Sequence, residues 1–195
     1  YLSRWGVKQS LVSVIPCGID VDLYAEPFQG QSIREKFPKD KVLIVFAKPM
    51  YEYNRKTAEL LLEAASLLRE EIPLHLLVGP GDQLDILKES VVRLKMEENV
   101  SYMPWVPFTE IPTYIEASDI IVLPFPYNPS TARSLFECLA MGKPVITTNM
   151  GEVSEILRDG EHALIVEPEK GEVAAAIVKL IRDRKLKDKL GKNAK

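Results

Sequence analysis

Six short runs in this chain are apolar at almost every position: Val42–Ala47, Leu74–Val78, Val100–Met103, Ile120–Leu123, Val145–Thr148 and Ala163–Val166. A strand with one wet face alternates apolar and polar residues. These runs do not, so both of their faces must be covered. Segments of helical periodicity lie between them. Leucines at 60, 61, 62, 67 and 68 mark a long helix over Thr57–Glu71, and further helices are predicted over 83–95, Ile111–Ala117, 152–158, 170–183 and 186–192. Strands alternating with helices predict a parallel sheet, and right-handed crossovers make it a doubly wound, Rossmann-like α/β domain. Ahead of the alternation, Leu11–Ile15 reads as a short strand, Pro16–Asp20 as a turn, and Ser32–Phe37 as a short helix ended by Pro38.

At 195 residues, 46% hydrophobic and 27% charged, the chain can build one soluble globular core. Residues 1–25 read as a leading interdomain segment and 26–195 as the domain itself. A net charge of −3 gives no general pull toward nucleic acid or an anionic membrane. An anionic ligand would therefore need local cations and backbone dipoles. No apolar run approaches the ~20 residues that span a bilayer, and no secretory signal opens the chain, so a cytoplasmic location is expected. The first residue is Tyr1 rather than methionine, which suggests a piece of something longer. Cys17 and Cys138 lack metal-ligand spacing and are expected to be reduced, partly buried thiols, a disulfide between them being the alternative. No zinc site is expected. Lysines 185, 187, 189, 192 and 195 read as a solvated helix face.

Ligands of doubly wound sheets bind outside the carboxyl ends of the strands. Here the loops at that rim are 48–56, 79–82, 104–109, 124–131 and 148–152. They carry Lys48, Arg55 and Lys56, the turn Gly79-Pro80-Gly81, Trp105, a Pro-rich loop, and Asn149, Gly151 and Glu152. The stretch Leu123–Ile146 reads as a strand end, that polar loop, a helix and a second buried strand. Ser130 or Thr131 can cap the helix, and Gly142 with Pro144 beyond it ends it. Leu135, Phe136, Leu139 and Ala140 share its inner face, and Glu137 is a charge on a segment short of polar groups. A helix N-terminus facing a strand's carboxyl end suits phosphate. Cations and glycines converge on the same rim, so phosphate binding is expected from the residues alone.

Several motifs recur in a particular order: the turn Gly18-Ile19-Asp20 after Val14–Cys17, the cationic loop, the Gly-Pro-Gly turn, Val100–Pro107, Ala117–Pro124, Phe136–Val145 and Gly151–Glu155. In that order and spacing the chain, from Val14 to about residue 183, resembles the carboxyl-terminal, nucleotide-sugar-binding domain of GT-B glycosyltransferases of the retaining family 4 group. The resemblance implies roles residue by residue. Glu137 matches the second glutamate of the family's Glu-x7-Glu motif, which holds the donor's ribose hydroxyls; the alternative is a surface or salt-bridged glutamate. Lys48 and Lys56 match the pair that clamps the diphosphate and stabilises the leaving group, with Arg55 next door as an alternative guanidinium. Ser130, Thr131 and Ala132 occupy the phosphate-binding turn, and Arg133 is either a further phosphate ligand or an exposed helix residue. Gly79 belongs to the donor-site turn. Trp105 and Val106 lie where the base edge is recognised, though Trp105 can equally be a core residue under the sheet. Asn128 and Gly151 fall near the transferred sugar. Asp119, Glu155, His75 and His162 read as structural or surface residues.

Two departures touch the sugar. Pro129 stands where the first glutamate of the motif belongs, and Glu152 replaces the second glycine of a pair. The implied function is donor binding for retaining transfer from a nucleotide-diphosphate sugar, UDP- or GDP-linked, with no cofactor and no essential metal. An amino-terminal domain of the same polypeptide would hold the acceptor, and any membrane contact would come through that domain or the acceptor. The fragment alone is expected to transfer little or nothing. Alternatives are a GT-B epimerase or phosphorylase domain, or a nucleotide-binding module that has lost catalysis.

Overall fold

The apolar runs are the strands: β1 (Val42–Phe46), β2 (Leu74–Val78), β3 (Val100–Tyr102), β4 (Ile120–Leu123), β5 (Val145–Thr148) and β6 (Leu164–Val166). The computed structural model describes residues 2–13, 18–25, 27–127, 133–151 and 153–194. Among them the strands form one parallel sheet in the order β3-β2-β1-β4-β5-β6. β1 and β4 are buried on both faces, as uninterrupted apolar runs require.

The helices are α1 (Gly30–Arg34), α2 (Glu52–Ser66), α3 (Leu84–Arg93), α4 (Ile111–Ala117), α5 (Arg133–Ala140), α6 (Val153–Ile156), α7 (Lys170–Arg182) and α8 (Arg184–Asn193). α2, α3 and α7 pack together on one face. Right-handed crossovers put α4, α5 and α6 on the other, since those connections run toward the opposite edge. Strand order reverses between β1 and β4, so the crevice between their carboxyl ends is the natural ligand position.

Three expectations need correction. The helix placed at Ser32–Phe37 lies earlier, because the Glu116 carboxylate on α4 accepts the Gly30 N–H at 2.6 Å and so starts α1 there. The contact is tight: a side chain on Gly30 would come within 2.7 Å of the Ala117 backbone. The helix placed at Thr57–Glu71 begins at Glu52, since the polar Asn54 turns inward and donates to the Pro49 carbonyl at 2.7 Å. The strand expected at Leu11–Ile15 is absent from its described part: Gln9–Leu11 is a 3-10 turn with Leu11 exposed. Residues 14–17 lie outside the described residues.

Asp119 has the structural role read for it. Its carboxylate accepts the Leu43 N–H at 2.8 Å and lies 3.6 Å from the Arg34 guanidinium. Cys138 is a free, buried thiol, and burial pushes its titration far up. No described helix is long and apolar enough to cross a membrane.

Candidate functional site

At the switch point the chain leaves β1 as Ala47-Lys48-Pro49-Met50, and backbone contacts hold this loop in place. Met50 donates to the Pro80 carbonyl at 2.7 Å and accepts from the Gln83 N–H at 2.9 Å. The Gly79-Pro80-Gly81 turn after β2 can approach so closely only without side chains. A Cβ on Gly79 would lie 2.3 Å from the Lys48 carbonyl oxygen, and one on Gly81 equally close to that of Met50. Gly79 thus fixes the Lys48 backbone. On the other side, Thr148 donates its hydroxyl to the Phe125 carbonyl at 2.7 Å and Thr147 to that of Leu123 at 3.1 Å, anchoring the chain as it leaves β4.

The Lys48 side chain crosses this crevice. Its Nζ donates to the Ser134 hydroxyl on the first turn of α5 at 3.0 Å and lies 5.2 Å from the Phe125 ring centroid. Burial pushes the ammonium below the usual lysine range, against the pull of Cys138 and Glu137. One turn further along α5, Glu137 is only 4% exposed. Its Oε1 accepts from Arg133 Nε at 2.9 Å, and the buried Tyr24 phenol lies beside it. Burial first, then the Glu137 charge, pushes Tyr24 up to about 12. The guanidinium carbon of Arg133 lies 4.5 Å from the Phe108 ring centroid.

The structure therefore brings together Lys48, Gly79, Arg133 and Glu137, all singled out in the sequence. Lys56 is not joined to them: it is exposed on the second turn of α2, with no hydrogen bond or ion pair among the described residues. Arg55 turns back onto Glu59, 2.7 Å from Nη1 to Oε1, and its buried Nε has no partner there. Trp105 is 68% exposed, which overturns the core alternative for it, while Val106 packs half-buried against the core. Gly151 is an exposed turn residue at φ +61°. Asn128, Pro129, Ser130, Thr131, Ala132 and Glu152 lie outside the described residues. His75 and His162 are packing and surface groups: His75 is buried against Ser101 and Phe37, and the His162 ring accepts the Arg158 N–H. No group of three or more metal-ligating side chains converges among the described residues.

Sequence reasoning passed over Tyr24, Phe108 and Ser134. Ser134 carried a readable signal, a hydroxyl in the first turn of the helix already singled out. Tyr24 and Phe108 carried none, because they reach α5 from segments remote in sequence.

A half-buried ammonium, the start of α5 and a buried carboxylate line a crevice at the switch point, where ligands of doubly wound sheets bind. Residues 41–183 match the family described as Glycosyl transferases group 1, and the chain belongs to it. Mannosylfructose-phosphate synthase from Agrobacterium fabrum is 28% identical over 98% of this chain and 44% of its own length. The crystallised carboxyl-terminal domain of the group 1 glycosyl transferase LpcC from Francisella tularensis superposes with a TM-score of 0.74 at 26% identity, covering 91% of this chain and 94% of that one. Anabaena HepE, solved with UDP-glucose, has the same fold: TM-score 0.80, 22% identity, 98% of this chain and 54% of HepE. The chain spans about half the length of the curated relatives it matches.

Proposed function

We propose that this chain is the donor-binding domain of a retaining glycosyltransferase that takes its sugar from a nucleotide diphosphate. The observation that carries this reading is the pairing of Lys48 with Ser134 at the start of α5, one turn from the buried Glu137. In this reading the Lys48 ammonium and the helix start face the diphosphate. As the bond from the sugar's anomeric carbon to the phosphate oxygen breaks, charge builds on that oxygen where they can stabilise it. Glu137 accepts from the ribose hydroxyls, with charge-assisted hydrogen bonds of the stronger kind. In this reading Ser130, Thr131 and Ala132 are assigned to the phosphates, Trp105 and Val106 to the base, and Asn128 and Gly151 to the sugar. Lys56 has a subordinate part, as an exposed cation on the rim. The proposed chemistry uses no cofactor and no metal.

The acceptor is proposed to bind a second, amino-terminal domain, consistent with the half-length match to the relatives. Transfer would need both domains to orient the reactants and exclude water, so this chain should bind donor without transferring sugar. UDP is the first nucleotide to test, because HepE was solved with UDP-glucose. Pro129 in place of the first motif glutamate favours a second reading, a nucleotide-binding module without catalysis. Sugar transfer by the complete polypeptide separates the two.

Titration of the chain with UDP, GDP, ADP and inorganic pyrophosphate tests the site. Glu137→Ala should weaken the preferred nucleoside diphosphate about 10-fold and leave pyrophosphate unchanged. Equal losses for both would remove the ribose assignment. No binding of any nucleotide by the unaltered chain at millimolar concentration would remove the site.

A further inference from the structure

A carboxylate as buried as that of Glu137 must be held by partners, and here three segments of the chain close around it and its ion-pair partner Arg133. Arg133, one turn back on α5, donates Nε to Oε1 at 2.9 Å. Tyr24, on the 3-10 turn Val21–Tyr24 packed against α5, is 5% exposed, and its phenol lies close enough to the carboxylate and the guanidinium to feel both charges. Phe108, on the 3-10 turn Phe108–Glu110, sits under the guanidinium and limits its rotation.

The stability that Arg133 gains from this arrangement is small. Its side chain is 53% exposed, and ion pairs with one wet partner contribute little to folding. What the arrangement does accomplish is orientation. With Nε on Oε1 and the guanidinium held by Phe108, the carboxylate cannot swing freely. A ligand group held in its productive geometry before binding does not have to be ordered at binding. Arg133 is also committed to Glu137 by the same bond, which argues against its being a phosphate ligand.

We propose that Arg133, seated on Phe108 and flanked by Tyr24, is a positioning residue that fixes the Glu137 carboxylate for the ribose hydroxyls of a nucleoside diphosphate. This rests on the donor-site reading above. It adds that ribose recognition is a property of four residues, Tyr24, Phe108, Arg133 and Glu137, and that the leading segment takes part through Tyr24. A positioning role has a signature different from that of a phosphate ligand: it selects between ligands with and without ribose.

The test is isothermal titration of the chain and its variants with UDP and with inorganic pyrophosphate. Arg133→Ala should weaken UDP about 10-fold and pyrophosphate less than about 2-fold. Arg133→Lys keeps the charge but loses the planar stack, and should recover part of the UDP loss. Tyr24→Phe should weaken UDP about 3-fold with pyrophosphate unchanged; it also carries the comparison if Arg133→Ala does not fold. Equal losses for UDP and pyrophosphate would make Arg133 a phosphate ligand and overturn the proposal. Unchanged UDP affinity in both Arg133→Ala and Tyr24→Phe would overturn it as well. Failure of the unaltered chain to bind UDP, GDP or ADP would instead overturn the donor-site reading, and this proposal with it.

Discussion

Lys48 and Lys143 are the same residue type, and burial presses both ammonium groups below the usual lysine range. They sit at opposite ends of the sheet and complete their hydrogen bonds differently. Lys143, before β5 at the amino end, donates to the Glu116 carbonyl at 2.5 Å and the Ser118 carbonyl at 2.8 Å. Those carbonyls close the end of α4, so Lys143 fastens a helix end that would otherwise leave acceptors unpaired. Lys48, at the carboxyl end, has one hydroxyl and one aromatic ring among the described residues. An ammonium has three N–H donors. Among the described residues Lys143 uses two of its three donors and Lys48 one, so what separates the proposed binder from the fastener is how much hydrogen bonding is left unfinished at the switch point.

The largest effect should come from removing the binder. Lys48→Met should weaken nucleoside diphosphate and pyrophosphate alike, by roughly 30- to 100-fold, because in the proposed site it removes the partly desolvated charge assigned to the phosphates. Chemical unfolding should show its stability lowered by no more than about 0.5 kcal/mol, since methionine avoids the cost of burying an ammonium. A variant that lost stability and kept affinity would reverse the roles assigned to the two lysines. The fastener should behave the other way. Lys143→Met should lower stability by about 1–3 kcal/mol, through the two carbonyls it leaves unpaired, with nucleotide affinity unchanged.

The smallest effect at neutral pH concerns a third buried base. His75 Nδ1 has no hydrogen-bond partner among the described residues, yet it lies on β2 away from the crevice. If an unfinished hydrogen bond needs solvent access to bind a ligand, His75→Gln should leave nucleotide affinity alone. Its signature should be acid sensitivity instead. Burial, with the Lys41 charge adding to it, pushes His75 down to about 4. Between the ordinary histidine value near 6.5 and about 4, the unfolded chain takes up a proton that the folded chain refuses. Stability should therefore be unaffected above that window and fall as pH drops through it, by up to about 1.4 kcal/mol per pH unit. Unfolding curves at pH 7.5 and 5 should show this loss in the parent chain and a smaller one in His75→Gln. Equal losses in both would assign the acid sensitivity to other groups.

Much of this architecture was legible because buried parallel strands announce themselves. Ile120–Leu123 and Val145–Thr148 fall where their apolar runs place them, and the helix Ile111–Ala117 does too. Helix starts were harder, since tertiary partners set them. The Glu116 carboxylate that starts α1 is 86 residues from Gly30 in sequence. Asn54, read as part of a loop, is buried because one carbonyl, that of Pro49, needs a donor. At the site, Lys48 and Glu137 were readable from position and residue type. The side chains around them were not: Tyr24 and Phe108 look like ordinary aromatic residues until the fold brings them to the Arg133–Glu137 pair.

The seam on which the site stands also bears on how the chain folds. β1 pairs with β2 along its whole length, Val42 to Phe46 against Leu74 to Val78, but meets β4 only at Ile44–Ile120 and Val45–Ile121. Asp119 extends that short ladder by accepting from the Leu43 N–H and donating its own N–H to the Leu43 carbonyl. Closing this seam joins segments some 76 positions apart, the slowest kind of contact for a chain to find. The two halves of the sheet can each form from nearer neighbours first. Recovery of nucleotide binding during refolding should then lag behind recovery of strand signal, because the crevice does not exist until the halves meet.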